Sequence, residues 1–344
     1  MSYSLNQSPL LSILVSDAEV ARLFSAEADI AACVSFEVAL AAVQAEFGIV
    51  PTATAKAIAL ALADYEPKPA KFAAALARDG VLVPSLVAAL RKLLPTTHAV
   101  HLHHGATSQD VVDTSLMLRA SVAAEKVEES LIASLAQLRL LDQKFCGRKL
   151  MGHTRMQRAI EIKVSDKLAV WQAGLAAAQV TLKSLRFPLQ LSGPVGTYKN
   201  QKLKRALANT LGLHHLTHSW QAERSPVLAL GNACVQLSGI CGKIGQDIAL
   251  MAQNELSEVK LSGGGASSAM AHKQNPVKAE VLVSLARFNA VQISGLHHSM
   301  VHELERSGAA WTLEWVLLPQ IIVTAATSAR CAVELLSSIE SLGN

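Results

Sequence analysis

Three stretches of this 344-residue chain gather residues that can do chemistry. The richest is Gly263 to Glu280, GGGASSAMAHKQNPVKAE. Ser267 and Ser268 offer hydroxyls, Lys273 a cation and Asn275 an amide. Asn275-Pro276 reads as a helix start, because Asn caps well and Pro suits the first helical position. A helix N-terminus carries partial positive charge, so with Lys273 beside it the segment should attract a carboxylate or phosphate. The glycines allow positive φ or close backbone approach, and suit a loop that moves. A flexible surface loop before an ordinary capped helix would share these features.

The second stretch, Val100 to Leu118, reads VHLHHGATSQDVVDTSLML. His101, His103 and His104 precede Thr107 and Ser108, either of which can cap a helix beginning near Gln109. Satisfied histidines beside a polar helix start are one reading. An HxH metal site is another, but no strand pattern precedes His101 and no further ligand cluster completes a set. The third stretch, Met151 to Lys163, reads MGHTRMQRAIEIK. Arg155 cannot act as a proton donor or acceptor, yet it can hold a carboxylate in a bidentate fork. A surface ion pair is its plainer role. Further on, HELERSGAAWTLEWVLLPQ, from His302 to Gln320, fits an amphipathic helix burying Trp311 and Trp315.

In order and register, the three stretches resemble the signature regions of the fumarase/aspartase superfamily. Ser267, Ser268, Met270, Lys273, Asn275 and Pro276 match GSSxMPxKxNP, with Ala266 and Ala271 departing from it. His103, Gly105, Thr107, Ser108 and Asp110 match HxGxTSxD. Thr154, Gln157 and Ala159 match RTHxQxAxP, but Arg155 stands where the family has His, His153 where it has Arg, and Glu161 where it has Pro. Glu37, Ala39, Leu40 and Gln44 fit the N-terminal pattern, and Ser192 to Thr197 the SGxVGT turn. The string around Trp311 is similar to one branch, the bacterial 3-carboxy-cis,cis-muconate cycloisomerases.

The resemblance implies addition or elimination beside a carboxylate through an aci-carboxylate, with no metal or organic cofactor. It assigns Ser267 as the residue that moves the proton, with Ser268 in reserve. His103, Arg155 and Glu280 join them as catalytic candidates, Glu280 as partner of Arg155 or His153. Thr107, Ser108, His104, Thr154, Gln157, His153, Lys273 and Asn275 are implied to bind an anionic polycarboxylate. It also implies a homotetramer whose sites draw on several subunits. An intramolecular lactonisation needs no acid for a departing amine or hydroxide, so Arg155 in place of His fits a cycloisomerase. A C–N lyase of the adenylosuccinate or argininosuccinate type, with His153 as substitute acid, and a non-catalytic relative are the alternatives.

These residues must be positioned by helices. The chain is half apolar, with 11 Pro and few aromatics, which favours packed helices over sheet. Residues 18 to 48 read as helix, and Met1 to about Pro95 as a small domain of short helices. Val164, Leu168, Trp171, Leu175, Ala178, Leu182 and Leu185 form one heptad seam; Val227, Leu230, Cys234, Leu237, Cys241, Ile244, Ile248 and Met251 form another. A third helix is expected from Pro276, with Val281, Leu285, Phe288 and Gln292 on one face. The expectation is an all-α long-helix bundle at 96–300, helices crossing near +20°, and a reduced C-terminal segment at 301–344. The formal charge of +4, without basic runs among aromatics, gives no sign of nucleic acid binding. The five cysteines form no CxxC and read as core residues of a reducing compartment. No apolar run approaches the ~20 residues of a membrane span. With no signal-peptide core, the expected location is cytoplasmic.

Overall fold

The computed structural model describes residues 9–266, 268–270 and 273–344. Helix accounts for 65% of the chain, as expected for this composition. Among the described residues seven α-helices open it, all short but α3: α1 (Pro9–Val15), α2 (Ala18–Arg22), the 21-residue α3 (Ala26–Glu46), α4 (Thr52–Leu62), α5 (Ala73–Asp79), α6 (Val83–Arg91) and α7 (Thr96–Ala99). The helix read over 18–48 is two helices, because Ser25 restarts the chain as an N-cap, its hydroxyl accepting from Ala28 N.

Five long helices follow: α8 (Ser108–Phe145), α9 (Val164–Ser184), α11 (Ser225–Met251), α12 (Val277–His298) and α13 (Gly308–Ser337), with the shorter α10 (Gln201–Thr210) between the second and third. Both heptad seams point inward, every one of their residues being buried. On α12 the expected stripe is shifted: the buried residues are Ala279, Leu282, Leu285, Asn289 and Leu296, with Val281, while Phe288 and Gln292 are only half-buried. Asn289 is the reason: its side chain donates to Ser238 Oγ and Ile321 O, so an amide occupies the contact with α11 and α13. α11 and α13 are long and apolar enough to cross a bilayer, contrary to the reading of the sequence. More than half of each such stretch is buried against neighbouring helices, as central helices of a bundle require. Of the cysteines, Cys33, Cys234, Cys241 and Cys331 are core residues, but Cys146 is exposed at the end of α8.

The long helices alternate in direction. Arg224, just ahead of α11, reaches Asp113 near the start of α8, while Glu258, just beyond α11, accepts from Met151 N past the end of α8. α8 and α11 therefore run the same way. α12 and α9 return, and α13 runs forward to end beside Ser262. One end of the bundle carries residues 101–114, 186–224 and 299–307; the other carries 146–163, 252–266, 273–276 and 338–344. Short strands staple the second end. β1 (Lys149–Thr154) pairs antiparallel with β2 (Gln157–Lys163), β3 (Val259–Leu261) with β6 (Ile339–Leu342), and β4 (Gly265–Ala266) with β5 (Gln274–Asn275).

The first end is held by buried charge. The Arg224 guanidinium lies between Asp113 and Glu314, with Nη1 2.7 Å from Asp113 Oδ2 and Nε 2.9 Å from Glu314 Oε1. Burial works against its charge, but the two carboxylates outweigh that and hold it protonated. Trp311 Nε1 donates to Asp113 Oδ1 at 2.9 Å, and Trp220 stacks under the guanidinium at 4.8 Å. One turn earlier, Asp110 accepts from the backbone N–H groups of Thr107, Ser192 and Gly193, joining the start of α8 to the 192–197 turn.

Two outcomes follow for stability. Arg224→Leu leaves Asp113 and Glu314 buried without their cation, a loss of about 3–5 kcal/mol that a lowered denaturant midpoint would show. Asp110 is pushed up to about 6, chiefly by burial and against its three N–H donors. Between the ordinary carboxylate range and about pH 6, its folded state thus holds a proton that the unfolded state has released. The stabilisation from that proton is complete below the ordinary carboxylate range and is lost as pH rises to about 6. Wild type should accordingly lose stability relative to Asp110→Asn between about pH 4 and 6, read from paired denaturant midpoints.

Candidate active site

Around the start of α8 the chain builds a turn with unusual backbone. His103 takes φ 65° and Gly105 φ 71°, both left-handed. For a non-glycine residue that conformation costs roughly 1–2 kcal/mol. Side chains from two elements, α3 and α6, hold it. Arg91 Nη2 donates to Leu102 O at 2.8 Å, Gln44 Nε2 to His104 O at 2.7 Å, and His103 Nδ1 lies 2.6 Å from Glu37 Oε1. Thr107 is the N-cap of α8 and Ser108 its first residue, in agreement with the sequence. His103, Thr107 and Ser108 are half-buried and His104 is exposed.

Arg306 closes this end. Its guanidinium donates to Thr107 Oγ1, Gln109 Oε1 and Pro194 O. Gln109 in turn donates to Asp113 Oδ2 and Gln221 O. A continuous hydrogen-bonded path thus runs from Thr107 to the buried Arg224. The sequence marked Arg306 only as part of a string; nothing in the spacing between 107 and 306 signals that they meet. Tyr198 lies against Gly105, 3.8 Å from the position a Cβ would take there. Burial raises the Tyr198 phenol and lowers the buried Lys204 ammonium nearby, while Asp110 works to raise both.

At the other end, His153, Thr154, Arg155 and Gln157 lie on the β1–β2 hairpin, where a helix-dominated reading expected no strand. Arg155 (φ 47°) and Met156 (φ 65°) form its two-residue turn, two successive left-handed residues as in a type I′ turn. All four candidate residues are exposed, and His153 Nδ1 lies 2.9 Å from Met151 O. Glu161, in the usual Pro position, pairs with Lys149 at 2.7 Å.

The glycine-rich loop leaves the same end. β4 and β5 close it into a narrow tongue, with Ser268 and Lys273 exposed and Asn275 half-buried. Ser267 lies outside the described residues. The glycines divide by task. Gly263 has φ 68°, whereas Gly264 and Gly265 serve close approach: a Cβ would sit 2.7 Å from Gln274 Cβ and 2.5 Å from Val277 Cγ2. Asn275 belongs to β5 and does not cap α12; Pro276 holds that position, without a side-chain bond to the helix. Glu280 is exposed on the first turn of α12, and no ion pair joins it to Arg155 or His153 among the described residues of one chain.

Within one chain the candidates therefore form two groups. His103, His104, Thr107 and Ser108 sit at one end of α8. Thr154, Arg155, Gln157, Ser268, Lys273, Asn275 and Glu280 sit beyond the other. Thirty-eight helical residues separate them, about 57 Å at the rise of an α-helix.

A lyase family model matches residues 19–295. The chain is 30% identical to the 3-carboxy-cis,cis-muconate cycloisomerase of Acinetobacter baylyi, over 97% of this chain and 77% of that one. It is 31% identical to the nitrosuccinate lyase of Streptomyces davaonensis, over 96% and 74% respectively. The solved 3-carboxy-cis,cis-muconate lactonizing enzyme from Pseudomonas putida superposes with a TM-score of 0.90 at 30% identity, covering 97% of this chain and 77% of that one. Matching motifs, a shared long-helix bundle and similarity over nearly the whole chain place it in the lyase family, within the fumarase/aspartase superfamily that also holds the 3-carboxy-cis,cis-muconate cycloisomerases.

Proposed function

We propose that the protein is a cycloisomerase that converts 3-carboxy-cis,cis-muconate to carboxymuconolactone in protocatechuate catabolism, working in the cytoplasm as a homotetramer. One observation carries the reading: Arg155, which cannot donate a proton, forms the tip of the hairpin where a lyase acid would stand. Similarity to the cycloisomerases over almost the full chain supports it.

The chemistry is an intramolecular addition. A carboxylate oxygen of the substrate attacks an alkene carbon, forming the lactone C–O bond. The π electrons move to the neighbouring carbon and into its carboxylate as an aci-carboxylate. Ser267 then delivers a proton to that carbon and is reprotonated from solvent, so one proton is taken up overall. Lys273, Asn275 and the N-terminus of α12 supply cationic and N–H stabilisation for the doubly charged intermediate. Thr107 and Ser108 bind substrate carboxylates, and Arg155 clamps one of them. No leaving group departs, so the arrangement needs no general acid beyond the serine. No metal or organic cofactor enters the scheme.

The two ends of α8 can serve one substrate only if they come from different chains. A tetramer with its long helices bundled together would meet that need. Exposed Val122, Ile132, Val170, Val180 and Val291 on α8, α9 and α12 support it as faces another copy could cover.

Loss of the ultraviolet absorbance of 3-carboxy-cis,cis-muconate, followed with wild type and Ser267→Ala, is the direct test. Turnover by wild type and a fall of several orders of magnitude in the variant are expected. If wild type is inert but releases an unsaturated dicarboxylate from nitrosuccinate or a C–N lyase substrate, the elimination reading replaces this one. Light scattering should give about four times the 36.5 kDa chain mass, and a monomer would rule out the shared site.

A further inference from the structure

We propose that Glu37 is a positioning residue that fixes the imidazole of His103, holding Nδ1 and leaving Nε2 as the ring nitrogen offered to substrate. The inference rests on the reading above in that it takes His103 to face the substrate.

Glu37 lies on α3, 66 residues away in sequence, and its side chain is fully buried. Its Oε1 is 2.6 Å from His103 Nδ1, as short as or shorter than typical charge-assisted N–H···O bonds. An ionised carboxylate only accepts, so the Nδ1 nitrogen must carry the proton of that bond. Glu37 Oε2 has no hydrogen-bond partner among the described residues, so the imidazole is the group seen to answer this buried carboxylate. Burying a carboxylate with one oxygen unanswered is costly. A residue serving only the fold would be replaced by an apolar one at little loss.

The surroundings point the same way. The turn needs no carboxylate to keep its path, because Arg91 and Gln44 already take the carbonyls of Leu102 and His104 on either side. Glu37 instead takes the side chain of the residue between them, the one held in the left-handed region. Backbone strain, a buried acid and two carbonyl anchors converge on the orientation of a single ring. A partner on one ring nitrogen selects the tautomer and the direction of the other. Outer partners that orient metal-bound imidazoles typically change function by 10–100-fold when removed, and an effect of that scale is expected for an imidazole oriented toward substrate.

The test begins with a reading that needs no substrate. Long-range proton–nitrogen correlation spectra of the wild-type imidazoles, with the His103 signals identified by their loss in His103→Gln, should show Nδ1 protonated. Glu37→Gln, which keeps volume and removes charge, should shift those signals while leaving cooperative unfolding in place. A wild-type His103 with bare Nδ1 and protonated Nε2 would overturn the proposal without any variant at Glu37. In turnover of 3-carboxy-cis,cis-muconate, Glu37→Gln should lower kcat by 10–100-fold with KM near the wild-type value. The same substitution in a His103→Gln background should cost nothing further. Losses that multiply, or full activity in Glu37→Gln, would show that Glu37 does not act through His103. An enzyme inert on this substrate would count against the proposed reaction, while the ring spectrum would still decide the role of Glu37.

Discussion

The length of α8 constrains everything else in this molecule. A helix of 38 residues is rigid on the scale of a substrate, and it fixes two chemically rich segments about 57 Å apart. The remaining long helices pack along it and alternate in direction, so each connection lands at one end or the other. The 186–224 and 299–307 segments join the His103 turn; the 252–266, 273–276 and 338–344 segments join the hairpin. A buried seam on one side of α9 and exposed Val170 and Val180 on another are two results of the same arrangement. Helices this long cannot bury their whole circumference within one chain.

The end that holds His103 depends on polar residues packed in the core. Gln109, Asp110, Asp113, Thr114 and Ser115 occupy the first two turns of α8, all buried. Each is answered. Asp110 takes three backbone N–H groups, Thr114 exchanges bonds with the backbone of Gln190, and Ser115 donates to Asp29. Such a network contributes less to net stability than apolar packing of equal volume. What it does contribute is direction: backbone from residues 190–193 and 220–221 is held at fixed angles to the helix. The turn that carries His103 is then fixed from the other side by α3 and α6. A site that must orient carboxylates gains from that rigidity more than from added stability.

Much of this was legible in the sequence where one physical rule dominated. Both seven-residue seams and the cap at Thr107 were readable, because periodic burial and N-cap chemistry act locally. The misreadings fall where a distant contact overrides a local rule. Asn289 moved the buried stripe of α12 because an amide could bond into α11 and α13. Asn275 pairs across to Gly265, so its capping preference was spent on a strand. The β1–β2 hairpin gave no alternating pattern, since neither face is buried and its turn uses Arg and Met where Asn-Gly would be the signal. Cys146 is exposed only because α8 ends there. Glu37 matched a pattern, but its partner lies 66 residues away, and nothing in one sequence joins them.

The hairpin shows how far local stability can be from explaining a feature. Two successive left-handed residues cost roughly 1–2 kcal/mol each, and a lone two-stranded ribbon is marginal in water. Its anchors all lie at the base: backbone bonds between Lys149 and Asn344, Met151 N to Glu258, and buried Leu150. Beyond them, Met156 and Ile160 are each 73% exposed among the described residues. Fully burying side chains of that size returns about 1.5–3 kcal/mol apiece. That is the same scale as the strain of the turn. A second surface closing over the tip would thus offset the cost that the chain alone leaves standing, and it would bring Arg155 out of water at the same moment. Strain at the tip, exposed apolar side chains beside it and a cation at its apex are features that contact with another copy, as in the proposed tetramer, would account for together.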